Sequence, residues 1–216
     1  MTRLETPAPA DPAPPARRRR ALLAVGIVVA VVLAAVVARS VVLPRLRPYA
    51  FHGTVIRSTE PVPAITLESA TGPVSLDAFA GELVVLYFGY TYCPDVCPTT
   101  LAKLARTKEL LGERAEEVNV VLVSVDPARD TPESLAEYVA HFDPDFLGLT
   151  ADPATIDRIA TIFGVYYARN GEGDDYLVDH TATTLVVDRD GYLKLVLPYE
   201  ATAEEIAADL EYLLDH

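Results

Sequence analysis

Cysteine is nearly absent from this 216-residue chain: there are two, Cys93 and Cys97. A disulfide joining them would constrain little of the chain, because the loop it closes is so short. Net basic charge is missing from most of the molecule. The first 48 residues hold eight arginines and two acidic residues, net +6, and since the whole chain carries −13, the remainder carries −19. An acidic domain of that kind excludes binding to nucleic acid or anionic lipid by electrostatics, and it suits a basic partner or simple solubility. Lysine is scarce as well, three against fifteen arginines, with no functional reading attached. Internal repeats and a second domain are absent.

Long apolar runs are also missing, with one exception. Residues 21–38 are uninterruptedly apolar, and residues 40–43 lengthen the run if Arg39 snorkels, which brings it near the roughly 20 residues that cross a bilayer. A cleaved secretory signal is the competing reading, since Val36 and Ala38 are small enough to precede a cleavage site. Removable signals usually have an apolar stretch of only about 7–15 residues, so an uncleaved anchor fits better. Arg17, Arg18, Arg19 and Arg20 precede the run and favour an amino terminus in the cytoplasm, with the rest of the chain outside. The expected organisation is a disordered, proline-rich basic tail at 1–20, an anchor at 21–43, a linker at 44–60 and one domain at 61–216.

That domain reads as mixed α/β. Residues 64–67 and 73–76 suggest a hairpin, and 83–88 is a continuous apolar run of the kind found in a buried central strand. A helical pattern through Leu101, Leu104, Ala105 and Leu111 follows. A second buried strand, 120–125, leads through Asp126 and Pro127 to a helix capped at Thr131 and Pro132. Asp152 and Pro153 open another helix, with Ile156, Ile159 and Phe163 on one face. Residues 183–187 and 192–197 form a hairpin around 188–191, and Thr202 with Glu205 makes a capping box for the last helix. The segment 188–191 resembles a calcium loop only superficially, because the later ligands are missing, and it reads as a turn. The order is that of a thioredoxin-like fold with an amino-terminal hairpin. Open sheets of this kind collect their sites beyond the carboxyl ends of the central strands, where Cys93, Cys97 and Asp126 fall.

The cysteines lie in Tyr92-Cys93-Pro94-Asp95-Val96-Cys97-Pro98, at a strand-to-helix junction. Unpaired backbone donors and the helix dipole stabilise thiolate there. Three intervening residues, where the familiar dithiol oxidoreductase motif has two, place both sulfurs on one face if the stretch is helical. Spacing alone leaves metal binding and redox cycling open. Pro98 fits the first helical turn and makes Cys97 the expected cap. Asp126 reads either as an acceptor for turn donors or as an acceptor that orients the site or a partner; Asp95 is a second candidate for that orienting role.

Taken together, the motif at 92–98, Ser124-Val125-Asp126-Pro127-Ala128-Arg129-Asp130-Thr131-Pro132 and Asp179-His180-Thr181 resemble the Sco (SenC) family of membrane-anchored copper proteins. The resemblance covers roughly residues 50–215 and includes the anchor. It implies a thioredoxin fold, copper bound as Cu(I) or Cu(II) through Cys93, Cys97 and His180, and help in assembling the binuclear copper site of cytochrome c oxidase subunit II. It also implies an envelope copper donor and a thiol reductant as partners. His180 lies just before an expected strand, where thioredoxins place a proline beside their active cysteines; this chain has none there. Two thiolates and one imidazole are a soft set with too few ligands for a closed zinc site. His52, His141 and His216 read as surface or core residues. A metallochaperone needs no catalytic turnover. The alternative from another class is a thiol–disulfide oxidoreductase using Cys93 and Cys97; a thiol peroxidase would need a lone attacking cysteine in its own motif.

Overall fold

The computed structural model describes residues 16–42, 48–173 and 175–216, in two compact units, residues 1–49 and 50–216. Residues 1–15 of the expected tail and 44–47 of the expected linker lie outside the described residues. In the first unit, helix α1 (Ala16–Val37) continues as a π-helical stretch over Ala38–Val42. Arg20–Ser40, with mean hydropathy 3.1, is long and apolar enough to cross a membrane by length and composition. The helix starts before the apolar run, with Arg17–Arg20 in its first turns. Arginine is a good helix former, and nothing in those residues stops the helix.

The second unit is built on six strands in the order β1 (Thr54–Val55), β10 (Leu193–Leu197), β9 (Thr184–Val187), β4 (Leu83–Gly89), β5 (Val118–Ser124) and β6 (Leu147–Leu149). Strands β4, β5 and β6 run parallel, and β9 pairs antiparallel with β4. Every residue of β4 is buried, as a strand covered on both faces requires. The expected first hairpin forms as β2 (Thr66–Ser69) and β3 (Gly72–Ser75), outside the main sheet. The turn at 188–191 is a turn: Gly191, at φ +82°, donates its N–H to the Asp188 carbonyl.

Helices α2 (Val96–Leu111), α3 (Pro132–Ala140), α4 (Pro153–Phe163) and α5 (Ala203–Asp215) complete the unit, and α2 packs against α5. Of the apolar stripe read on α2, Leu101, Leu104 and Leu111 are buried and Ala105 is half-buried; Ile156, Ile159 and Phe163 on α4 are buried, as are Ile206 and Leu210 on α5, where Leu213 is half-buried. The caps at Thr131, Asp152 and Thr202 all form, the first and last as capping boxes. The fold is thioredoxin-like.

Two differences bear on the site. Helix α2 begins two residues earlier than Pro98 suggests, with Asp95 as its cap and Cys97 inside the first turn. Pro98 therefore occupies the third helical position, where the backbone N–H would have no partner within the helix, so its absence costs nothing. The second difference is an unanticipated ribbon, β7 (Tyr167–Asn170) paired with β8 (Leu177–His180) and separate from the main sheet. His180 is the last residue of β8, opposite Tyr167, and not a member of a loop before a strand.

Candidate metal centre

Parallel pairing aligns Gly89 with Ser124, so β4 and β5 finish side by side and release the cysteine loop and the Asp126 turn from adjacent strand ends. Helix α2 then carries Cys97 back under the end of β4. The approach is close: a Cβ on Gly89 would sit 2.9 Å from Cys97 Sγ, so a glycine is required there. Ribbon β7–β8 delivers His180 from the other side. The two sulfurs and a ring nitrogen of His180 all lie within 4.8 Å of one another. Cys97 is fully buried, and Cys93 and His180 are half-buried. The three residues named from the sequence are brought together.

Hydrogen bonds fix the protonation pattern. His180 Nδ1 lies 3.2 Å from the carbonyl of Thr181, which can only accept, so that contact is made by an Nδ1–H. Nε2 faces the sulfurs, 3.5 Å from Cys97 Sγ. Cys93 Sγ accepts the Cys97 backbone N–H at 3.4 Å, which satisfies one of the otherwise unpaired donors of α2. Hydrogen bonding from the Cys97 thiol, then from the Cys97 and Asp95 backbone, outweighs burial and lowers the Cys93 thiol to about 5. The Cys97 thiol is pushed up, first by sharing its proton with Cys93 and then by burial. Tyr87, fully buried, donates its hydroxyl to Cys97 Sγ at 3.7 Å. Rings of Tyr87 and Tyr90 meet His180 edge-on, with centroids 6.0 and 5.9 Å away.

Asp126 is 4% exposed, and its carboxylate serves side chains, not the turn. Oδ1 accepts the Tyr176 hydroxyl and Oδ2 accepts Arg129 Nε, each at 2.6 Å. The turn donors of Arg129 and Asp130 go to the Asp126 backbone carbonyl. Asp95 is exposed, and its carboxylate makes no capping hydrogen bond with α2.

Asp130 went without a role in the sequence. Buried at 2% exposure, it accepts from Ser124 Oγ at 2.6 Å and from the Thr91 hydroxyl at 2.5 Å and amide at 3.2 Å. Burial pushes its carboxyl pKa up. It holds the entry of the cysteine loop to the end of β5. Nothing local marks it, because an aspartate one residue before a helix cap looks like ordinary turn chemistry.

The model of the SCO1/SenC family matches residues 63–215. The chain belongs to the SCO1/SenC family. An SCO2-like protein of Rickettsia felis is 43% identical over 122 residues, which cover 55% of this chain and 60% of that protein. The chain thus spans about 60% of the length of such curated relatives. Among solved structures, apo Sco1 of Thermus thermophilus is 43% identical, with TM-score 0.69 over 76% of this chain and 98% of that one. ScoI of Bradyrhizobium japonicum, solved with copper bound, is 37% identical, with TM-score 0.66 over 71% of this chain and 99% of that one.

Proposed function

We propose that this SCO1/SenC chain is a membrane-anchored copper carrier. It would hold copper through Cys93, Cys97 and His180 and pass it by ligand exchange to the binuclear site of cytochrome c oxidase subunit II. The observation that carries this reading is the convergence of two sulfurs and one imidazole nitrogen, from two elements distant in sequence, within 4.8 Å. Such a soft, three-ligand set satisfies Cu(I), and the imidazole also admits Cu(II). Copper-bound relatives and the family's part in oxidase assembly support it. Helix α1 supports an anchor with the acidic domain outside and a cytoplasmic amino terminus. An envelope donor would load the site, and a thiol reductant would keep it open, since disulfide formation and copper loading exclude each other.

The test is a copper titration of the reduced full-length chain in detergent, with ligand type read by absorption spectroscopy. One copper per chain is expected. His180→Ala should weaken binding far more than His141→Ala, whose ring is exposed and bonded to the carbonyl of Glu137. Equal effects would remove His180 from the site, and a reduced protein that binds no copper would overturn the reading.

The thiol asymmetry favours a second duty. Cys93, ionised and partly accessible, suits attack on an acceptor disulfide, and Cys97 suits resolution of the mixed disulfide. The pair would be oxidised to a disulfide as the acceptor gains two thiols. That activity would proceed without metal and survive His180→Ala.

A further inference from the structure

The ribbon that carries His180 is two strands long, and such a hairpin is marginally stable without other support. Its body-side anchorage comes largely through side chains. The ring of Tyr176, 7% exposed and one residue before β8, lies between two guanidinium groups: Arg129 at 3.6 Å from the turn after β5, and Arg169 at 3.8 Å from β7. Its hydroxyl donates to Asp126 Oδ1 at 2.6 Å, and the other oxygen of that carboxylate holds Arg129. Arg129 also lies over Tyr92, the residue before Cys93, at 4.4 Å. One residue along β8 from Leu177, the Val178 amide donates to the Tyr90 hydroxyl at 3.1 Å. A single guanidinium therefore touches both the loop that presents the cysteines and the ribbon that presents the histidine.

We propose that Asp126, Arg129 and Tyr176 form a clasp that sets the position of His180 against the two sulfurs and governs how readily that ligand swings away. These are positioning residues: none supplies an atom to the Cys93, Cys97 and His180 cluster. Closed, the clasp brings His180 Nε2 to 3.5 Å from Cys97 Sγ. Opened, it leaves the cysteines in place, because Cys97 belongs to α2 and the entry to the Cys93 loop is held separately by Asp130. Ligand retention is thereby divided into a fixed dithiol and a releasable imidazole. The proposal rests on the copper-carrier reading for the meaning of that release, and on geometry alone for the clasp.

Tyr176→Phe is the sparing perturbation, since it keeps the ring between the arginines and removes the hydroxyl bonded to Asp126; Arg129→Gln removes the link to Tyr92 as well. Asp209→Asn serves as the control. It weakens a fully buried carboxylate that accepts the amides of His52 and Gly53, away from the site. In the metal-free, reduced full-length chain, exchange of the Val178 amide with solvent deuterium should accelerate about tenfold or more in both clasp variants, because a hydrogen bond to a charged group is lost in each. In the copper-loaded chain, transfer of Cu(I) to a competing chelator should accelerate by a similar factor, with the imidazole contribution weakened in the copper X-ray absorption spectrum. Asp209→Asn should leave the site's exchange and transfer rates at wild-type values. Wild-type rates in Tyr176→Phe, or equal acceleration in Asp209→Asn, would overturn the clasp. A wild-type chain that binds no copper would overturn the carrier reading instead, and the exchange measurement would still decide the clasp.

Discussion

Gly89→Ala tests how tightly the frame constrains the dithiol. The added Cβ would stand 2.9 Å from Cys97 Sγ, 3.0 Å from Tyr87 Cε1 and 3.1 Å from Leu122 Cδ1. Normal contact between such atoms begins near about 3.5 Å, so the closest approach is about 0.6 Å short. All three neighbours belong to fully buried side chains of β4, β5 and α2, which leaves them little room to yield. Overpacking of this kind costs about 1–3 kcal/mol. The least constrained of the three is the sulfur at the start of α2, so relief should come by moving Cys97 away from β4. A urea unfolding curve should therefore show a stability loss in that range, and a chelator competition should show weaker Cu(I) binding. Gly148→Ala separates the two effects. Its Cβ would meet Leu135 Cβ at 2.7 Å and the Leu135 carbonyl carbon at 2.8 Å, on α3 and away from the sulfurs. It should cost at least as much stability and leave copper affinity of the folded protein unchanged. A Gly89→Ala protein within about 0.5 kcal/mol of wild type, with unaltered copper binding, would refute this account of the close approach.

Alkylation of Cys93 should be nearly independent of pH from 6 to 8 and fall with a midpoint near about 5, read by mass spectrometry after timed iodoacetamide pulses; an ordinary thiol midpoint near 8.5 would contradict the hydrogen-bonded thiolate. The sign follows for stability: a folded pKa below the unfolded value gives Cys93 a contribution that is full above the ordinary thiol range and lost as the pH falls through about 5. Asp130→Ala should destabilise by about 2 kcal/mol, because it strands the buried hydroxyl of Ser124 and the half-buried donors of Thr91, and should speed alkylation of the cysteine loop; unchanged thiol reactivity would mean that the loop entry is held some other way. Thr202→Ala breaks the capping box of α5 and should cost about 1 kcal/mol by urea denaturation with no change in copper binding.

The central strands were legible because β4 and β5 are buried along nearly their whole length and so contain little but apolar residues. The helix starts were legible for a different reason: Thr131, Asp152 and Thr202 make their hydrogen bonds within three residues, so the cap is written locally. The β7–β8 ribbon was missed because its strands are only four residues long and half polar, and its turn is rich in glycine and acid. The α2 cap was misplaced by reading Pro98 as the first helical residue, when the third position tolerates proline equally well. Cys93, Cys97 and His180 were found by motif. Asp130 and Tyr176 had no local signal, since what gives them roles is contact across 6 to 50 residues of chain; Arg129 pairs with Asp126 three residues away, but its contacts with Tyr92 and Tyr176 are long-range.

The separateness of the β7–β8 ribbon makes site occupancy visible from outside. A cation gripped by both sulfurs and the imidazole would tie the ribbon to the body at a further point, beyond its two chain connections to α4 and β9 and the side-chain contacts of Tyr90, Asp126 and Arg129. The energy of that fastening would be felt along the whole ribbon, including the exposed residues Gly171, Glu172 and Gly173 at its far end, seven to nine residues before His180. Protection of that tip from proteolysis would then be a gauge of loading, and a partner that touches only the tip would have a physical means of telling a loaded chain from an empty one.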